Sequence, residues 1–368
     1  MSLQFAQPIS AAPREAMLKI LQEAADTDTS DVYIKAGAPP MFRIDGVTAN
    51  RSTENLSPDE CRALAESIME PEQREDFRKT REQNFSLSAP SAGRFRVNAL
   101  IQRGFVGMVI RRIKTDIPEL EKLGLPPRVS EMALLKNGLV LVVGSTGSGK
   151  STTLAAMIGY RNRMQGGHIL TVEDPVEFVH SDQKSIVNQR EVGTDTASFA
   201  AALKNALRQA PDVILIGEMR DQESVEAALT FAETGHLVFS TLHSTNAPQT
   251  VERLLQFFNP EEQARIYPVL ANNLRGIVAQ RLVPRAEGPG RCAAIEFMVV
   301  TPLIRDYLRR RETSLLRKAI AAGKTEGMQT FDQSLYDLYQ SGAISQETAI
   351  SYADSANDIR LRLRGLSS

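Results

Sequence analysis

The sequence predicts an α/β protein of more than one domain, and three features carry that prediction. The apolar run Gly138-Leu139-Val140-Leu141-Val142-Val143 leads into the glycine-rich turn Gly144-Ser145-Thr146-Gly147-Ser148-Gly149 and then into Lys150-Ser151-Thr152-Thr153-Leu154, in the order strand, turn, helix. From about residue 130 apolar strands alternate with helical periods, which predicts a mostly parallel sheet. Up to about residue 115 the strand-like segments instead alternate with period two, which predicts a small α+β domain on an antiparallel sheet.

Composition sets the bounds. A chain of 368 residues is too long for one compact core, and 42% hydrophobic with 24% charged residues is an ordinary globular balance. The formal net charge of −1 removes the broad basic field of a DNA-tracking motor, so no nucleic-acid partner is expected. No run approaches the ~20 apolar residues of a membrane span and no secretory signal opens the chain, which points to the cytoplasm. Cys61 and Cys292 are too far apart in sequence for a disulfide framework and too few for a four-cysteine zinc site.

The first domain reads as follows. Residues 1–12 are a weakly patterned lead. Pro13 can start a helix whose apolar stripe is Met17, Leu18, Ile20, Leu21, Ala24 and Ala25. Val32-Tyr33-Ile34 and Met41-Phe42-Arg43-Ile44 read as short strands, and Asp45-Gly46 as a hairpin turn. Ser57-Pro58-Asp59-Glu60 is a capping box that opens a helix to about Met69. Asn84–Leu87, Gly93–Leu100 and Gly107–Ile113 read as further strands. Arg94, Arg96, Arg103, Arg111 and Arg112 crowd this stretch. Composition alone favours a solvated strand face there, with an anion-seeking surface as the alternative.

Residues 116–129, punctuated by Pro118, Pro126 and Pro127, read as a linker that could hinge. Beyond the glycine-rich turn, His168–Val172 is a strand followed by the acidic cluster Glu173-Asp174-Pro175-Val176-Glu177. A capped helix runs from Ser198 to Gln209, Asp212–Gly217 is an apolar strand ending in Glu218, and a helix over Glu223–Glu233 leads to a strand over Leu237–Leu242. From about residue 285 the pattern is helical, with a Thr330/Gln333 cap before Phe331, Leu335, Leu338 and Tyr339.

The glycine-rich turn has the chemistry of a polyphosphate site. Its glycines let successive N–H groups point inward, and the following helix N-terminus adds positive potential. Gly144, Ser145, Thr146, Gly147, Ser148, Gly149, Lys150, Ser151 and Thr152 are therefore the expected nucleotide-binding residues, with ATP as ligand. Lys150 is expected to bridge the β- and γ-phosphates and the Ser151 hydroxyl to take a place on Mg²⁺. Acids at strand ends, Glu173 and Glu218, are candidates to orient water and organise the metal. All four histidines fall in this domain, but their spacing does not suit zinc. One of His236 and His243 is expected to sense the γ-phosphate or contact a neighbouring subunit, whereas His168 and His180 read as structural.

Four motifs now stand together: the loop at 144–151, the acidic box Thr171–Phe178, the strand end Gly217-Glu218-Met219-Arg220-Asp221, and the histidine box His236–His243. This set resembles the secretion-type ATPases of the type II secretion and type IV pilus superfamily, and within it the pilus retraction ATPases PilT and PilU. The resemblance runs through Ser30-Asp31, Ala36–Met41, Gly93–Asn98 and Glu326–Asp332. The wording of Ala156–Asn162, Leu207–Asp212 and Ala353–Asp358 is closer to PilU than to PilT.

The resemblance implies an N-terminal PAS-like α+β domain (1–115), a linker (116–129), a RecA-like ATPase core (130–285) and a helical C-terminal region (286–368). It implies a homohexamer with ATP held between the two domain types, powering pilus retraction and twitching motility. The partners implied are an inner-membrane platform protein, reached from the cytoplasmic face, and a PilT ATPase as second motor. Residue by residue, Glu173 matches the glutamate that polarises the attacking water and Glu218 the one that holds Mg²⁺ through water. Arg96 and Arg111 match arginines that approach phosphate, which reverses the preference for a merely solvated face. His243 joins Glu173, Glu218, Lys150, Arg96 and Arg111 in the candidate catalytic set. Arg103 departs by one residue from the family pattern, and a one-residue shift on a strand turns a side chain to the other face. Extension and type II secretion ATPases carry a tetracysteine zinc insert, which two distant cysteines cannot build. An accessory ring subunit that augments a PilT motor is the other alternative.

Overall fold

The computed structural model describes residues 11–27, 29–44, 47–50, 54–113, 116–288 and 290–364. The chain divides between Thr115 and Asp116 into two compact units.

In the first unit, α1 (Ala11–Asp26) precedes β1 (Asp31–Lys35), β2 (Met41–Ile44) and β3 (Val47–Asn50). Helices α2 (Pro58–Ser67) and α3 (Pro71–Thr80) follow, then β4 (Glu82–Ala89), β5 (Gly93–Gln102) and β6 (Phe105–Ile113). The sheet order is β3-β2-β1-β6-β5-β4, every pairing antiparallel. Register places Phe42, Val32, Ile110, Val97 and Phe85 side by side in one row across five strands. All five are buried and pack with Met17 and Leu21 of α1 and Leu64 and Ala65 of α2. Each such side chain contributes roughly 1.5–3 kcal/mol by leaving water.

The next row, on the other face, is Arg43, Asp31, Arg111, Arg96 and Ser86. The period of two thus sorts the core from a polar, arginine-bearing face. Arg111 Nε donates to Asp31 Oδ1 at 2.8 Å, and Arg43 lies 3.8 Å from the same carboxylate. Arg103 is not on a strand: with φ +51° it occupies the two-residue turn joining β5 to β6, so register does not decide its direction. Ser57 caps α2 reciprocally with Glu60, as its spacing predicts. Helix α3 is an element beyond those expected, although Glu70, Pro71 and Gln73 mark its start. The turn expected at Asp45-Gly46 lies outside the described residues.

The second unit opens with α4 (Arg128–Ala133), β7 (Gly138–Val143), α5 (Lys150–Met164), β8 (Gly167–Glu173), β9 (Ser185–Glu191) and α6 (Phe199–Ala206). Then come β10 (Val213–Ile216), α7 (Gln222–Glu233), β11 (Leu237–Leu242), α8 (Ala247–Gln256) and α9 (Pro260–Asn273). It closes with β12 (Leu274–Pro284), β13 (Arg291–Val299), α10 (Pro302–Arg310), α11 (Leu316–Ala322), α12 (Phe331–Gln340), α13 (Gln346–Tyr352) and α14 (Ala356–Leu363). The sheet order is β13-β12-β7-β11-β10-β8-β9, parallel except for the β12–β13 pair. Strand β7 is buried on both faces, as a central parallel strand must be. Leu139, Leu141 and Val143 enter one core and Val140 and Val142 the other.

Two expected boundaries are corrected. The boundary at 285 falls in the turn of the β12–β13 hairpin, so β13 belongs to the sheet and the helical region starts only after it. The 116–129 segment is not a free linker. Leu120 is buried among Leu154, Met157 and Ile158 of α5, and Glu121 lies 3.5 Å from Arg163. Apolar burial outweighs the irregularity that three prolines impose.

Candidate active site

Strands β7, β11, β10 and β8 are parallel neighbours, so their carboxyl ends open on the same edge of the sheet. Gly144 follows β7, His243 follows β11, Gly217-Glu218 follows β10 and Glu173 ends β8. These residues come from distant parts of the chain, and topology alone brings them together. Glu173, Gly217, Glu218 and His243 line a cavity of about 500 Å³ with Thr146, Gly147, Gly149 and Lys150 of the loop after Gly144, and its described walls all belong to the second unit. Arg96 and Arg111 lie in the first unit, paired with each other across β5 and β6.

The loop folds as its glycines require. Gly144 has φ +152°, and a Cβ there would run into the Ser148 side chain and come within 2.6 Å of the Gln280 carbonyl. Gly149, also left-handed, is the residue from which α5 starts. The α5 N-terminus therefore faces the cavity with its first amide groups and the positive end of the helix dipole. Lys150 Nζ donates to the carbonyls of Gly144 at 2.9 Å and Ser145 at 3.0 Å, which holds the ammonium within the loop. Burial lowers its pKa, while Glu218 and Glu177 oppose that shift. Behind the loop, Gln280 of β12 donates to Thr153 Oγ1 at 2.9 Å.

The two acids are held differently. Glu173 accepts from Thr171 Oγ1 at 2.7 Å and from Gln189 Nε2 at 3.2 Å. Burial raises its pKa, and these hydrogen bonds pull the other way. Glu218 is gripped from two sides, by Arg220 Nε at 2.6 Å and His243 Nε2 at 3.0 Å. Arg220 also reaches Asp174 Oδ2 at 3.3 Å, bridging the β8 and β10 ends.

The histidines separate cleanly. His243 is in the cavity wall, whereas His236, at the other end of β11, contacts Phe231 O and Thr234 Oγ1, each at 3.1 Å. His168 is bound between Gln209 O at 2.9 Å and Asn188 Nδ2 at 3.0 Å, a structural role. His180, read as structural, lines the cavity; burial lowers its pKa to about 4, so it is neutral at physiological pH. Sequence reasoning gave no role to Arg220, Gln189 or Thr171. Thr171 carried a signal, since residues i and i+2 of a strand share a face and Glu173 is its i+2 neighbour.

The donor set fits Mg²⁺ held jointly with a nucleotide. The Ser151 hydroxyl and Glu218 carboxylate both line the cavity and supply hard oxygen ligands. Among the described residues no group of three or more His, Cys, Asp or Glu could hold a metal ion. Phe178, Phe199, Leu215 and Leu282 give the same cavity apolar wall.

Residues 9–351 match the family model of the type II/IV secretion system protein. The chain is 49% identical to the type IV pilus ATPase PilU of Pseudomonas aeruginosa, over 94% of this chain and 91% of the relative. It is 45% identical to the type IV pilus retraction ATPase PilT of the same organism, over 90% and 96%. Among solved structures, the pilus retraction motor PilT with bound ADP superposes with TM-score 0.86 at 44% identity, covering 92% of this chain and 97% of that one. The Legionella pneumophila ATPase DotB superposes with TM-score 0.79 at 28% identity, covering 99% of each.

Proposed function

The chain belongs to the type II/IV secretion system protein family, and on that premise we propose that it is an ATP-hydrolysing motor subunit that powers type IV pilus retraction. The observation that carries the reading is the convergence of the phosphate-binding loop with Glu173 and Glu218 in one cavity. Ser151 and Glu218 would hold Mg²⁺, which would supply charge neutralisation at the phosphate oxygens. The loop amides and Lys150 bind the β- and γ-phosphates. Glu173 orients the attacking water and takes its proton; a carboxyl with raised pKa is the better proton acceptor, and Thr171 and Gln189 fix its direction. His243 and Arg220 hold Glu218 and respond to the γ-phosphate.

In this reading the first unit is the PAS-like domain and the second the RecA-like core with a helical extension. Arg96 and Arg111 supply positive charge to phosphate in the manner of arginine fingers. The subunits form a homohexamer at the cytoplasmic face of the inner membrane, bound to a pilus platform protein and working beside a PilT-type ATPase. Among the described residues no helix is long and apolar enough to cross a membrane, so attachment through a partner suits the chain. The complete set of loop, lysine and acids supports an active motor over a purely accessory subunit.

The test is pilus retraction in cells lacking this chain, complemented with wild type or Glu218→Ala. Wild type is expected to restore retraction force and the variant to fail. Equal rescue by both would refute the motor assignment.

A further inference from the structure

Glu296 lies mid-strand in β13 and is 1% exposed. Its same-face neighbours Ala294 and Met298 belong to the apolar core that contains Ala247, Val251 and Leu254 of α8. A carboxyl group in such surroundings is costly unless a partner satisfies it. The partner is the N–H of Ala247, which donates to Glu296 Oε1 at 2.7 Å and belongs to the first residue of α8.

That bond fastens more than a helix start. Only His243, Ser244, Thr245 and Asn246 separate β11 from α8. The first of them, His243, has Nε2 3.0 Å from Glu218 Oε1. Ser244 Oγ is 2.7 Å from Thr250 Oγ1 of α8, and Asn246 Oδ1 accepts from Gln249 N–H at 2.9 Å. The segment is thus tied to the first turn of α8, and that turn to the sheet through Glu296. A displacement of the α8 start would carry His243 with it.

We propose that Glu296 is a positioning residue of the active site: by holding the Ala247 amide it fixes the short segment that sets His243 against Glu218. The proposal rests on the reading of the cavity as an ATP-hydrolysing site. Neither Glu296 nor its partner Ala247 lines the cavity, so its effect passes through the backbone. Misplacement of a reacting group by ~1 Å can cost on the order of 10²-fold in rate. The phosphate-binding loop lies between β7 and α5, outside the segment that this bond fastens.

The test uses the purified full-length chain with Mg-ATP. Glu296→Met keeps the volume and suits the apolar surroundings but removes the acceptor, whereas Glu296→Gln keeps the acceptor oxygen. The Met variant is expected to lower kcat by ~10–10²-fold with nucleotide Kd within ~3-fold of wild type. The Gln variant is expected to stay within ~2-fold on both counts. Combined with His243→Ala, Glu296→Met should cost no more than His243→Ala alone, because both act through one group. The proposal is overturned by a folded Met variant with wild-type turnover, by a folded Gln variant as slow as the Met variant, or by losses that multiply with His243→Ala. Should the Met variant not fold, the Gln variant decides: retained turnover upholds the acceptor role and its loss overturns it. Absence of turnover in the wild type would remove the ATPase reading and this proposal with it. Normal turnover in both wild type and the Met variant would remove only the positioning role.

Discussion

Glu296→Gln should change how stability depends on pH. Burial raises the Glu296 carboxyl pKa from 4.5 to about 7; the Ala247 amide lowers it, Asp354 raises it, and Arg281 and Arg317 lower it by smaller amounts. The folded state therefore holds this proton more tightly than the unfolded chain, so stability from this group is greatest below pH ~4.5 and is lost as pH rises through about 7. A shift of this size is worth about 3 kcal/mol in all, of which about 2 kcal/mol should disappear between pH 5 and pH 7.5. Glutamine has no proton to lose, so the variant escapes that decline. Urea unfolding of both proteins across this range isolates the group, because titrations not coupled to Glu296 cancel in the difference. The variant should gain about 2 kcal/mol on wild type from pH 5 to pH 7.5 and then level off. Parallel curves, or a variant that gains as pH falls, would refute the picture of a buried carboxyl kept protonated by its surroundings.

Two other substitutions probe the reacting centre. Glu173→Gln should slow phosphate release by ~10²-fold while ATP affinity stays within a few-fold, since only proton acceptance is removed; weakened affinity with unchanged kcat would assign the residue to binding instead. Arg96→Ala should lower turnover sharply with little change in Tm. Arg111→Ala should lower both, because Arg111 also neutralises the buried Asp31; unaltered turnover in both variants would leave this arginine row a solvated face.

The glycine-rich loop and the two acids were legible because their signals are local: a strand, a turn and a helix in sequence, or an apolar run ending in a carboxylate. Parallel topology then supplied what no local pattern contains, namely that Glu173, Glu218 and His243 share one edge. Strands β12 and β13 went unread because Gln280, Arg281 and Glu296 interrupt their apolar runs. Each of these has a distant partner: Thr153 for Gln280, Asp354 for Arg281 and Ala247 for Glu296. A polar residue reads as a surface signal until its partner is known. Strand β9 is an edge strand with Ile186 exposed and Val187 only partly buried, so its apolar pattern is weak. The 116–129 segment shows the opposite error: its prolines marked irregular backbone correctly but concealed the anchoring Leu120.

The central claim, that this cavity hydrolyses ATP, is tested most directly by steady-state phosphate release from saturating Mg-ATP, comparing the full-length chain with Lys150→Ala. Lys150 is the loop's own cation and lines the cavity. Wild type should turn over steadily and the variant at least ~10²-fold more slowly, the scale expected when a charge-stabilising donor is removed from a transition state. Equal rates in the two proteins would contradict the account.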